Sequence, residues 1–176
     1  LMMLNQPNNR VVATSLRIPH VEDGPYVHQL VQECPPLDVN SCYCYTLLCD
    51  QFAQTSAIAE SADRILGYCS GFCEPSRPDT LFIWQVAIHA VARGQGLAKR
   101  LLRHILERPA MNHITRMRTT VSSSNAASRG LFRSLAADYG AMIEEHSGYE
   151  EHVLSLDGSH EAEPFLLIGP LTSDRK

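Results

Sequence analysis

The pattern of apolar and polar positions along the chain predicts strands alternating with helices. The stretch TLFIWQVAIH, residues 80–89, is apolar on both faces at several positions, which is typical of a strand at the centre of a sheet. Shorter runs predict strands over residues 11–18, 55–60, 65–73 and 116–121, with two more around the turn Asp157-Gly158-Ser159. Prolines 75 and 78 predict a loop over residues 74–79, because proline cannot donate to a strand ladder.

The best helix is predicted over residues 96–107, directly after the central strand. Its apolar residues recur at helical spacing and form one stripe: Leu97, Leu101, Leu102, Ile105 and Leu106. Further helices are expected over residues 22–33, after a cap at Asn40 or Ser41, and from Ser124 or Asn125 to about residue 138. The alternation predicts an α/β (α+β) fold.

Composition narrows the class of protein. With 176 residues, of which 44% are hydrophobic, the chain suits a single domain, predicted over residues 11–171, with a leader at 1–10 and a tail at 172–176. A net charge of -4 without a cluster of Lys and Arg argues against a nucleic-acid partner. The sequence has neither a signal peptide nor an apolar stretch long enough to span a bilayer, so we expect a cytoplasmic protein with no membrane partner.

The six cysteines predict reduced thiols rather than a metal site. The spacings Cys42-x-Cys44 and Cys69-x3-Cys73 differ from the two-residue spacing that is typical of zinc knuckles. No metal is therefore expected.

A glycine-containing turn, Arg93-Gly94-Gln95-Gly96-Leu97-Ala98, carries the strongest functional signal. It joins the central strand to the best helix, where glycines allow close approach and amide groups at a helix N-terminus attract anions. Lys99 and Arg100 add positive charge. A plain turn with no ligand is the alternative, but the order of strand, glycines, cations and helix favours a phosphate ligand. The turn fits neither a P-loop nor the three-glycine dinucleotide fingerprint.

The motif Arg93-x-x-Gly96-x-Ala98, preceded by Trp84-Gln85-Val86-Ala87-Ile88, resembles the acetyl-CoA motif of the GNAT superfamily. The resemblance implies a mixed central sheet flanked by helices, acetyl-CoA as cosubstrate and a homodimer. It also implies that the pantetheine arm contacts Val86, Ala87 and Ile88. The phosphates would contact Arg93, Gly94, Gln95, Gly96, Leu97, Ala98 and Lys99.

A second family motif is present at Asn125-x-x-Ser128, which the resemblance also assigns to the cofactor. Seven residues after the asparagine, many members have a tyrosine that protonates the departing thiolate, whereas this chain has Phe132. Another donor or water would then act, or the thiolate would leave unassisted. The same substitution leaves open a module that binds CoA without catalysis.

Further segments resemble the L-2,4-diaminobutyrate acetyltransferases, the ectoine-biosynthesis branch of this superfamily. The segments are residues 37–45, 77–86, 107–110, 119–121, 159–163 and 168–171, so the resemblance extends over nearly the whole chain. It implies acetylation of the 4-amino (γ) nitrogen of L-2,4-diaminobutyrate and a role in osmotic stress. Pro164 departs from the branch, which usually has an ordinary strand residue there. Another small amine or a peptide as acceptor is the alternative.

The chemistry of diaminobutyrate matches several polar residues in these segments. Two ammonium groups need anions, and an apolar wall with hydrogen-bonding groups would complete the pocket. The predicted substrate-binding residues are Asp38, Asn40, Tyr43, Trp84, His160 and Glu163, with Glu161 as a further candidate anion. Asp38, Tyr43, Trp84 and Glu163 are the predicted catalytic residues.

Each of these assignments has a structural alternative. Asp38 could be a helix-entry residue, Trp84 a core residue, and Tyr43 and Tyr45 packing residues. His160 and Glu163 could be solvated polar residues near a turn. For the reaction, we expect the amine to attack the thioester directly after a base removes its proton, with a backbone N–H near Val86 holding the oxyanion. A route through a cysteine nucleophile is less favoured, because none has an obvious histidine partner.

Overall fold

The computed structural model, which describes residues 13–62 and 64–171, contains a mixed sheet of seven strands. The strands are β1 (Ser15–Arg17), β2 (Ala57–Ser61), β3 (Arg64–Glu74), β4 (Arg77–Ile88), β5 (Arg116–Thr120), β6 (Met142–Tyr149) and β7 (Glu163–Gly169). Their order in the sheet is β1-β2-β3-β4-β5-β7-β6, so β4 is central, as predicted. The β4–β5 pair is parallel, and the other described pairs are antiparallel.

Helices cover the sheet on both faces, which confirms the predicted architecture. They are α1 (Gly24–Gln32), α2 (Cys42–Gln51), α3 (Leu97–Leu106), α4 (Ala126–Asp138) and the short α5 (Glu151–Leu154). Within the described residues, no helix combines the length and the apolar character needed to cross a bilayer.

The main core lies between the sheet and the pair α3 and α4. All five apolar residues of the predicted α3 stripe are buried there, together with Leu81 and Ile83 of β4 and Met117 of β5. Each such side chain contributes about 1.5–3 kcal/mol on burial. This packing fixes α3 at the end of β4 and therefore fixes the turn that joins them.

The second core lies between α1, α2 and the opposite face of β2, β3 and β4. Ser41 caps α2, its hydroxyl accepting from the Cys44 amide over 3.2 Å, as the sequence predicted. Tyr45 of α2 is fully buried, and its ring meets that of Tyr68 edge-on. The residues of this core come from α1, α2, β2, β3 and β4, so the core does not extend over the same face of β5, β7 and β6.

The sequence interpretation was wrong over residues 74–79. β3 continues to Glu74 and β4 begins at Arg77, so the connection is only Pro75-Ser76. Pro78 is tolerated in the strand because a register shift lies beside it in β3, and pairing with β5 begins only at Thr80.

Smaller differences occur at the two ends of the chain. The first strand occupies Ser15–Arg17, and residues 11 and 12, the leader and the tail lie outside the described residues. α5 lies between the last two strands and was not predicted. Pro164 occupies the second position of β7 opposite a register shift in β6, and its carbonyl accepts from the Val121 amide over 3.2 Å.

Candidate active site

β4 and β5 pair for only part of their length and then diverge. The registered pairs extend from Thr80–Arg116 to Ile83–Thr119. Beyond them, β4 from Gln85 to Ile88 keeps its ladder to β3 on one side only, among the pairs that the structure describes, and Trp84 lies at a register shift of that ladder. A cavity of about 740 Å³ opens at the divergence, lined by Trp84 to Val86 on β4 and by Arg118 to Ser122 on the other side. Such an exposed strand edge can take up an extended chain as an added strand.

The predicted anion turn has the backbone geometry that its glycines allow. Gly94 and Gly96 have φ angles of 73° and 69°, a region that other residues rarely adopt. A Cβ at either position would meet no atom within 4 Å, so the turn is open on the side where a side chain would project. Leu97 begins α3, whose first-turn amides lack intrahelical partners and carry the positive end of the helix dipole.

The cations near the turn are held in different ways. The Arg93 Nε donates to the Ile88 carbonyl over 2.9 Å, which places this exposed side chain across the end of β4. The Lys99 ammonium instead lies 2.9 Å from the Asp138 carboxylate and donates to Ser134 on α4. The assignment of Lys99 to the phosphates therefore stays a prediction.

Asn125 and Ser128 both line the cavity at the start of α4. The Asn125 side chain accepts from the Ser128 amide over 3.0 Å and so caps the helix, as the sequence predicted. Phe132 lies one turn further along, is buried, and also lines the cavity. It offers no proton to a thiolate.

The opposite part of the cavity brings together most of the predicted substrate residues. Asp38, Asn40, Trp84 and Glu163 all line it. The Trp84 side chain is 46% exposed, which excludes the alternative that it is a core residue. Its indole face is therefore open to a cationic ligand.

His160 joins this group through Asp38. Its Nε2 lies 3.5 Å from the Asp38 carboxylate, and its Nδ1 is 2.9 Å from the Glu161 carbonyl. The hydrogen bond to that carbonyl, together with the nearby carboxylates of Glu163 and Asp38, raises the pKa of His160. Glu161 itself accepts from Ser124 over 2.8 Å.

Tyr43 is one of several predicted site residues outside the cavity lining in the described part of the chain, together with His160, Ala87, Ile88 and the turn 93–99. Its side chain is 72% exposed on α2 and is absent from the cavity lining within the described residues. Its catalytic and substrate-binding assignment stays a prediction. The buried Tyr45 is instead connected to the site, since its hydroxyl donates to Gln85 and accepts from the Asn40 amide.

Comparisons with known proteins agree with this geometry. The model of the acetyltransferase (GNAT) family matches residues 25–136. The chain is 46% identical over 158 residues to the L-2,4-diaminobutyric acid acetyltransferase of Bordetella parapertussis, covering 89% of this chain and 84% of the relative. It is 40% identical over 161 residues to that of Halomonas elongata, covering 91% and 83%. The chain belongs to the diaminobutyrate acetyltransferases of the GNAT family.

A solved member of these diaminobutyrate acetyltransferases is also similar in structure. It is the diaminobutyrate acetyltransferase EctA from Paenibacillus lautus, in complex with its substrate L-2,4-diaminobutyric acid and coenzyme A. The TM-score is 0.87 at 40% identity, and the match covers 93% of this chain and 98% of that one.

Sequence reasoning missed several polar residues of this diaminobutyrate acetyltransferase. Thr120 donates to the Glu163 carboxylate over 2.5 Å, although the two are far apart in sequence. Arg118 and Arg77 both bind Glu74 at the cavity wall. A charged residue inside a predicted strand is the signal that could have found Arg118, because a charge in a strand interior needs a partner or a ligand. Glu74 and Arg77 lie in the segment that was predicted as a loop, and Thr120 has no charge to mark it.

The cysteines of the acetyltransferase are poorly placed to act as nucleophiles. All six are free, and none is among the residues that line the cavity in the described part of the chain. Burial raises the pKa of Cys69 to about 12 and that of Cys49 to about 12, which keeps both as unreactive thiols. Within residues 13–62 and 64–171, no group of three or more His, Cys, Asp or Glu is placed to hold a metal ion.

Proposed function

We propose that the protein transfers the acetyl group of acetyl-CoA to the 4-amino nitrogen of L-2,4-diaminobutyrate, giving N4-acetyl-L-2,4-diaminobutyrate in ectoine biosynthesis. One observation carries the proposal: a single cavity connects the free edge of β4 with a group of carboxylates and an open indole. The relatives that share this substrate are 40–46% identical over most of the chain.

The turn at the start of α3 and the edge of β4 at the cavity fit acetyl-CoA. The amides of Gly94 to Ala98 would hold the pyrophosphate. The edge of β4 from Val86 to Ile88, which faces no strand among the described β4–β5 pairs, would pair with the pantetheine arm. The thioester would then lie at the divergence of β4 and β5. A backbone N–H near Val86 would hold the oxyanion that develops on its carbonyl oxygen.

The amine must lose a proton before it attacks. A lysine-like amine has a pKa of about 10.4, so under about 1% is free base at neutral pH. Glu163, positioned by the Thr120 hydroxyl, removes that proton directly or through a water molecule. Asp38, paired with His160, holds the second ammonium group.

Direct attack explains the inert cysteines, because no covalent enzyme intermediate is needed. The nitrogen–carbonyl bond forms, the carbon–sulfur bond breaks, and coenzyme A leaves as a thiolate. Since Phe132 cannot donate a proton, water in the cavity would protonate the sulfur.

The protein is also proposed to be a cytoplasmic homodimer with a role in osmotic stress. The six free cysteines favour a reducing compartment. Exposed apolar side chains occur at the end of β6 and in the segment after it: Tyr149, Val153 and Leu156. Sedimentation velocity would test the dimer, which predicts twice the mass of the 19.6 kDa chain.

Mass spectrometry of the product from acetyl-CoA and diaminobutyrate tests the proposal directly. We expect one acetyl group, located by fragmentation on the γ-nitrogen. A parallel panel of polyamines, aminoglycosides and peptide N-termini should give much slower thiol release. Faster turnover of any panel member, or CoA binding with no turnover of any amine, would reject the proposed substrate.

A further inference from the structure

Arg118 lies in the middle of β5 with its side chain directed to the cavity wall. Its Nη1 donates to the Glu74 carboxylate over 2.9 Å, and its guanidinium carbon lies 3.5 Å from the centre of the Phe165 ring. The side chain is 19% exposed, so the charge is largely shielded from solvent but still reaches the cavity. A guanidinium fixed in this way is ready to bind a planar anion.

The cluster around Arg118 has more positive than negative charge. Glu74, which is buried, also accepts from the Arg77 Nε over 2.8 Å. Two guanidinium groups therefore share one carboxylate, and all three side chains line the cavity. The Arg77 side chain is 48% exposed, so solvent screens its charge, whereas the more shielded Arg118 gains more from an anion in the cavity.

The spacing along β5 separates Arg118 from the Thr120–Glu163 pair by a distance that matches the length of diaminobutyrate. Arg118 and Thr120 lie on the same face of the strand, about 6.7 Å apart along it, and Thr120 holds Glu163. In extended diaminobutyrate, roughly 5 Å separates the γ-nitrogen from the carboxyl carbon, given bonds of about 1.5 Å. An amine beside Glu163 thus leaves the carboxylate within reach of Arg118.

We infer that Arg118 binds the carboxylate of the substrate and makes the enzyme select an amino acid over a simple diamine. The inference rests on the proposed function, since it assigns the part of the same cavity that recognises the carboxylate. Asn40 and the other uncharged hydrogen-bond donors near Asp38 and Glu163 would contribute less than Arg118 to binding the substrate carboxylate. Arg77 keeps Glu74 in place and so positions Arg118.

The test compares diaminobutyrate with 1,3-diaminopropane, the same chain without its carboxylate. For Arg118→Gln, we expect kcat/KM for diaminobutyrate to fall about 100-fold, mainly through KM, as for truncation of one partner of a charged pair. The inhibition constant of 1,3-diaminopropane against diaminobutyrate should change less than about 3-fold, because the diamine has no group for Arg118. The kcat/KM of Arg118→Lys for diaminobutyrate should lie between those of Arg118→Gln and wild type, since lysine keeps the charge but lacks the planar guanidinium.

Arg116→Gln is the matched control. Arg116 lies on the same face of β5 but is exposed and is absent from the described cavity lining, so both constants should stay at the wild-type level. The dissociation constant of coenzyme A, measured by calorimetry, should be unchanged in every variant and reports intact folding.

Three results would be decisive. A kcat/KM of Arg118→Gln for diaminobutyrate within about 3-fold of wild type overturns the inference. An equal loss for diaminobutyrate and for the diamine also overturns it, since it would indicate a purely structural role with Glu74. Wild-type enzyme that acetylates no diaminobutyrate at all would instead reject the proposed function.

Discussion

The Tyr45 hydroxyl donates to the Gln85 Oε1 over 3.1 Å and thereby joins α2 to the central strand. The same hydroxyl accepts from the Asn40 amide, and the Gln85 Nε2 donates to the Asp38 carbonyl over 2.9 Å. These bonds close a ring between the 38–40 loop and β4. They therefore set the position of Asp38 relative to Trp84, the neighbour of Gln85.

Tyr45→Phe should loosen this ring without emptying the core. Tyr45 is fully buried, so the change leaves two polar partners unsatisfied and should lower the free energy of unfolding by about 1–3 kcal/mol. It should also raise the KM for diaminobutyrate more than it lowers kcat. Urea unfolding and steady-state kinetics measure both effects. Tyr26→Phe, the same change at an exposed site, should stay within about 0.5 kcal/mol, and equal effects at both sites would argue against the ring.

Gly96→Ala should weaken both the fold and the binding of coenzyme A. Gly96 has a φ angle of 69°, where an L residue costs about 1–2 kcal/mol, and the added methyl group would project into the space proposed for the pyrophosphate. Gly130→Ala is the control, because Gly130 lies inside α4 with nothing within 4 Å of an added Cβ. That change should be neutral or stabilising by up to about 1 kcal/mol. Calorimetry showing wild-type affinity in Gly96→Ala would contradict the proposed cradle.

The sequence predicted the parts of the fold that local patterns determine. The α3 stripe, the turn around Gly96, and the caps at Ser41 and Asn125 each depend on residues within about one helical turn of one another, and each prediction was confirmed. The loop prediction at Pro78 was wrong because the sequence does not show which hydrogen bonds the sheet requires at this position. Because of the register shift in β3, and because pairing with β5 begins only at Thr80, no ladder hydrogen bond requires a backbone N–H at Pro78.

The contacts that build the candidate site could not be predicted in the same way. Arg118 meets Glu74 across 44 positions of sequence, and Thr120 meets Glu163 across 43. Only the order of the strands brings these pairs together, and no short-range pattern encodes it. Asp38 and Trp84, which line the cavity, could be predicted without the strand order because they lie in segments that resemble the family.

His160 and His104 should titrate on opposite sides of the ordinary histidine pKa. The Glu161 carbonyl is the main cause that raises the pKa of His160, whereas burial, with Arg108 nearby, lowers that of His104. Because the folded-state pKa of His160 is raised, its attraction to Asp38 is fully present below the ordinary pKa and is lost as pH rises through the raised value. Two-dimensional NMR of the imidazole protons measures both midpoints. Asp38→Asn should lower the His160 midpoint and leave that of His104 unchanged; an unchanged His160 midpoint would show that the pair does not interact in solution.

Glu163→Gln should remove the proposed base while keeping the shape of the site. Glutamine can still accept from Thr120, so the fold and the affinity for coenzyme A should be preserved, while kcat/KM for diaminobutyrate falls about 100-fold to 10,000-fold. Thr120→Val keeps the Glu163 carboxylate but removes the hydrogen bond that orients it. The loss of kcat/KM should therefore be smaller, about 10-fold. The exposed Glu150, changed to Gln, is the control and should leave the kinetics unaltered. The pH profile separates the possible roles: a base requires that the rising limb of kcat/KM disappear in Glu163→Gln, whereas a residue that only binds the ammonium would raise KM and leave that limb in place.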